Sequence, residues 1–160
     1  MKYLGEKSLS SVLSLILKIL WYLVLLGSFV AVIIAAIILF FVPPEHHAMI
    51  EICKEFKEGP DCVKNFPVVF KILIFPYFAI VATLTLKLIN KAYILFTNLK
   101  NNIVFSKGNV ELISKLAKLF IILSILTFDF SSLIISALLF ILSEIFKNGT
   151  ALQEENDLTI

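Results

Sequence analysis

Arginine is absent; all fourteen basic residues are lysine. The planar guanidinium fork that grips phosphates and base edges in pairs of hydrogen bonds is therefore missing, so direct recognition of nucleic acid is not expected. Histidine is confined to the adjacent His46 and His47, and cysteine to Cys53 and Cys62. No C-x-x-C pair exists and no nucleophile stands with a base. Thiol-redox chemistry and nucleophilic catalysis thus lack their usual residues. The expectation is a protein that is not an enzyme, with no catalytic residue, no metal site and no cofactor.

Charge is also scarce, at 16% of residues with a net charge of +2, whereas 59% of residues are hydrophobic. A soluble domain carries about a quarter charged residues. A soluble core of 160 residues could not hide this much apolar surface, so lipid is the partner that shelters it. The predicted fold is all-α: an integral membrane four-helix bundle forming a single domain, 1–160. Its spans lie at about 19–42, 67–90, 110–128 and 130–146. The first apolar run is too long for the core of a cleaved signal peptide, so it reads as a retained anchor. Ahead of it, Leu9, Val12, Leu13, Ile16 and Leu17 recur at helical spacing beside Ser10, Ser11 and Ser14, as in a helix lying on the inner surface.

The scarce charges are segregated. Lys87, Lys91, Lys100, Lys107, Lys115 and Lys118 stand against Glu111 alone between the second and third runs. Lysine excess beside a span marks the cytoplasmic side. That places a cytoplasmic loop at 87–115, cytoplasmic N- and C-termini, a tail at 147–160 and an outer loop at 43–66. Acids outnumber lysines in the outer loop: Glu45, Glu51, Glu55, Glu58 and Asp61 against Lys54, Lys57 and Lys64. Asp129 interrupts the last apolar stretch. A hairpin turn there competes with one long tilted crossing, and the hairpin is favoured because a lone charge at mid-membrane costs about 2.5–3.5 kcal/mol.

Cys53 and Cys62 share the outer loop, where the surroundings are oxidising, so a disulfide is the favoured reading. It would stabilise the loop by roughly 2–3 kcal/mol. A metal held by both cysteines with His46 and His47 is the minor alternative, since no ligand spacing supports it. Gly27, Ala31 and Ala35 lie four apart on one helix face that can pack closely against a neighbour. Packing within the chain is the default, and contact in a homo-oligomer the alternative. Pro76 predicts a kink. Ser106 predicts a helix N-cap, Glu111 with Lys115 and Glu144 with Lys147 predict ion pairs, and Gly149 predicts a helix end.

The last twenty residues carry a further pattern. Glu144, Phe146 and Lys147 precede Gly149, followed by Leu152, the acids Glu154, Glu155 and Asp157, then Leu158-Thr159-Ile160. Upstream, Phe105 is followed by Asn109 and Val110. These residues resemble a bacterial membrane family catalogued as domain of unknown function 2975. The resemblance implies four spans, no established activity, and genes that sit beside a small helix-turn-helix regulator. It thus implies a regulatory membrane partner that binds or sequesters such a regulator. The binding set would be Glu144, Lys147, Gly149, Leu152, Glu154, Glu155, Leu158, Thr159 and Ile160. Relatives often carry arginine before the glycine, where this chain has Lys147 and Asn148. A small transporter or channel component is the alternative. The expected location is the cell inner (cytoplasmic) membrane, as a multi-pass protein.

Overall fold

A computed structural model describes residues 8–41 and 68–158 of the chain, with side chains placed for 8–37 and 72–156. The described chain is all-α and holds four helices: α1 (Leu9–Phe41), α2 (Val68–Lys100), α3 (Lys107–Thr127) and α4 (Phe130–Leu158). Three carry segments long and apolar enough to cross a membrane: Leu9–Ile37, Ile72–Lys100 and Phe130–Asn156. The third helix falls short of the same standard. It has 21 residues, and every 18-residue stretch of it holds at least three of Lys107, Glu111, Lys115 and Lys118. The outer loop, with the expected Cys53–Cys62 disulfide, lies outside the described residues, as do Thr159 and Ile160.

The chain divides into two compact units. The first to consider spans Leu25–Ala82 and takes in the second half of α1 and the first part of α2. Its surface is that of a chain made for lipid: Leu26, Phe29, Ile34 and Ile72 are all exposed. A side chain on Gly27 would meet no atom within 4 Å; Ala31 beside it is exposed and Ala35 half-buried. Pro76 sits inside α2, and the helix continues through it to Lys100.

The other unit joins the chain up to Val24 with Thr83–Ile160. The first turns of α1 here are inverted relative to a soluble helix. Ser8, Ser10 and Ser14 are buried, whereas Leu9, Val12 and Ile16 face outward. Hydroxyls can pack inside because they find partners there: the Ser8 and Ser10 hydroxyls bond to each other at 2.6 Å, and Ser14 Oγ donates to the Ser11 carbonyl. The second part of α2 runs against α3, with Leu95, Ile113 and Leu116 buried together and Leu88, Ala92, Leu139 and Phe146 packed around them.

α3 and α4 form an antiparallel hairpin. The inward seam of α4 reads Ser132, Ser136, Leu139, Ser143, Phe146, Thr150, in alternating steps of four and three. Small hydroxyl residues allow close approach of two helices and supply hydrogen bonds across the seam. Ser136 Oγ donates to the Ala117 carbonyl at 2.9 Å, and Ser143 Oγ to the Val110 carbonyl at 3.3 Å. The opposite stripe, Ile134, Leu138, Ile141, Ile145 and Leu152, is apolar and exposed.

The turn between these helices takes the hairpin form expected at Asp129. Phe128 adopts a left-handed conformation (φ 53°) and its N–H bonds the Ser124 carbonyl. Asp129 then caps α4: its carboxylate accepts from the Ser131 N–H at 3.0 Å and the Ser132 hydroxyl at 2.6 Å. These bonds, the Ser132 hydroxyl first, hold its carboxyl below the usual carboxylate range.

Candidate functional site

The expected partner-binding residues lie where α4 passes the start of α3, and the connection from α2 shapes that place. Asn102 turns the chain with a left-handed φ of 61°. Ser106 then caps α3 in extended conformation, its hydroxyl accepting from the Asn109 N–H. Asn109 is wholly buried. Its amide nitrogen donates to the carbonyls of Ile103 and Val104, at 2.8 Å each. Its amide oxygen accepts from Asn98 Nδ2 at 2.7 Å. One side chain thus ties the end of α2, the connecting loop and the start of α3.

This corner presents Phe105 to α4. The ring lies against Phe146, with centroids 5.5 Å apart, and covers Gly149, where a Cβ would come within 2.5 Å of two ring carbons. Gly149 is therefore a seat for an aromatic ring rather than the helix end expected from the sequence. The glycine lies inside α4, which continues to Leu158, nine residues past the expected end. Phe105, from the loop before α3, thus meets Phe146 and Gly149, which lie three residues apart on α4.

On the other flank, α3 and α4 enclose a cleft of about 470 Å³. Val110, Glu111 and Ser114 line one wall, and Ser143, Lys147, Thr150 and Ala151 the other. Lys107 and Glu154 bridge its end at 2.9 Å. Glu111 pairs with Lys115 at 2.7 Å and Glu144 with Lys147 at 3.4 Å, as their spacing predicts. The cleft is rimmed by both signs of charge, and the Ser143 and Thr150 hydroxyls in its wall are bonded to the carbonyls of Val110 and Phe146. Among the described residues no group of three or more histidine, cysteine or acidic side chains stands together to hold a metal.

Of the nine residues expected to bind a partner, Lys147 and Glu154 line the cleft, Glu144 pairs at its rim, and Gly149 is occupied by Phe105. Leu152 is 62% exposed on the outer stripe, and Glu155 is exposed. Leu158 closes the helix, its side chain outside the described set along with Thr159 and Ile160. Gly27, Ala31 and Ala35 belong to the other unit. Reasoning from sequence missed Ser136, Ser143 and Thr150; their four-three spacing with Leu139 and Phe146 was the available signal.

A family model described as "Protein of unknown function (DUF2975)" matches residues 118–160. The matched stretch runs from the last turns of α3 through α4, and so covers the seam serines, Gly149 and the acidic tail. No curated protein and no solved structure matches the chain. Over that stretch the chain is similar to the family that its tail resembles, and its apolar helices fit a membrane protein.

Proposed function

We propose that this chain is a multi-pass protein of the cell inner membrane that acts as a regulatory partner, binding a small cytoplasmic helix-turn-helix regulator through the end of α4. The observation that carries the reading is the continuation of α4 as a helix past its apolar stretch. The projecting segment offers Leu152 as an exposed apolar anchor next to Glu154 and Glu155. A DNA-binding domain is basic where it meets phosphate, so an acidic helix end with an apolar anchor competes for that surface. On this reading both termini and the lysine-rich side are cytoplasmic, residues 43–66 face outward, and Cys53 and Cys62 are paired.

Deleting Gln153–Ile160 and measuring co-purification of a co-expressed small helix-turn-helix regulator tests the proposal. Loss of the regulator from the membrane fraction is the expected result; unchanged recovery removes the tail from the mechanism. Labelling cysteines on intact cells, before and after reduction, reads the sidedness and the pairing together.

A further inference from the structure

Four lysines converge between α2 and α3. Lys87 and Lys91 lie one turn apart on α2, and Lys115 and Lys118 on α3; with Leu119 and Ile122 their side chains line a cavity of about 270 Å³ whose wall is almost wholly carbon, so the lysines lend it their aliphatic stems. Glu111 engages Lys115 at 2.7 Å and also attracts Lys91, one negative charge against four positive. Among the described residues no carboxylate forms an ion pair with Lys87, Lys91 or Lys118. Gathering like charges is unfavourable unless an anion offsets it, and Lys91 is half-buried, away from some of the water that would screen it. The level of the cavity along the helices is also informative. From Ile72 to Leu86 on α2, and from Leu119 to Phe128 ahead of the α3–α4 turn, no residue is charged. Both apolar stretches end at the lysines. The cavity therefore lies where the apolar stretches give way to lysine, walled by Leu119, Ile122 and the lysine stems.

We infer that this cavity takes an acyl chain of an anionic phospholipid along Leu119, Ile122 and the lysine stems, with the lipid's phosphate held at the ammonium ends of Lys87, Lys91 and Lys118. A soluble anion would satisfy the lysines but leave the apolar floor uncovered. A zwitterionic lipid would cover the floor but bring no net charge. An anionic lipid does both, and juxtamembrane lysines attract anionic leaflets in an additive way.

The test uses the full chain in neutral detergent, followed by native mass spectrometry during titration with phosphatidylglycerol or with phosphatidylcholine of the same chains. Phosphatidylglycerol should be retained as one molecule per chain, at least about tenfold more tightly than phosphatidylcholine. The Lys91→Gln/Lys118→Gln variant should weaken it on the order of tenfold or more, and leave phosphatidylcholine unchanged. Lys100→Gln, outside the cavity, should retain it fully. Equal retention of the two lipids, no loss in the double variant, or an equal loss in Lys100→Gln would each overturn the assignment. Tighter binding of inorganic phosphate or of polyglutamate than of phosphatidylglycerol would overturn it too, in favour of a soluble anion or an acidic protein segment. Should the double variant lose its helical circular dichroism, Lys118→Gln alone is read, with a loss of about fivefold expected.

Discussion

The two corners that flank α3 solve one problem in opposite ways. Each must reverse the chain and satisfy the backbone groups freed at a helix end. At the α2–α3 corner the work falls to a buried neutral amide, Asn109, which bonds two carbonyls and a second amide and stands behind an aromatic lock on Gly149. At the α3–α4 corner it falls to an exposed carboxylate: Asp129 bonds one backbone N–H and one hydroxyl, next to a Phe128 that is 86% exposed. A buried amide cannot be replaced by water when removed, whereas an exposed carboxylate can. The first corner is thus rigid and intolerant of substitution, and the second tolerant but sensitive to acid.

Each corner can be broken separately. The largest effect is expected from Asn109→Leu, which strands Asn98 and two loop carbonyls. A loss of about 2–4 kcal/mol should appear in denaturant melts of the detergent-solubilised protein, with faster hydrogen exchange through residues 101–106. Gly149→Ala should cost about 1–2 kcal/mol, because the added methyl group displaces the Phe105 ring by more than the gain in helix propensity repays. Combining it with Phe105→Ala should give less than the sum of the two single losses; strict additivity would show that ring and glycine do not depend on each other.

The acid response of the second corner comes next. The Asp129 carboxyl is held below its ordinary range, so its contribution is complete above the value of an unfolded carboxylate and disappears as pH falls through the lower, folded one. Thermal melts followed from neutral to strongly acidic pH should show part of the stability lost at the low end. Asp129→Asn, also a good cap, should remove that part while leaving neutral stability nearly unchanged. The smallest effect belongs to Lys107→Gln. The Lys107–Glu154 bridge joins side chains that are 80% and 54% exposed, and such pairs contribute about 0–1 kcal/mol.

The asymmetry between the corners also explains what could be read in advance. The α3–α4 turn was foreseeable because a charge inside an apolar run is costly enough to force a break, and Ser106 was recognisable as a cap because capping is a local rule. The fate of Gly149 was not foreseeable, since glycine ends helices often and the ring that claims this one comes from a distant loop. The polar face of early α1 was likewise misassigned. Period alone shows two faces, and here the serine face is the one that turns inward. α3 looked like a fourth crossing by its apolar end, while its four charged residues leave no 18-residue stretch of it with fewer than three charges.

The seam serines have an evolutionary consequence. Ser136 and Ser143 bond to main-chain oxygens of α3, at Ala117 and Val110, and the pairs are seven residues apart on both helices. Every amino acid offers that same oxygen. The alignment of the two rods is therefore indifferent to which side chains the receiving helix bears at those two points. Mutational drift there can retune the surface without letting the rods slide.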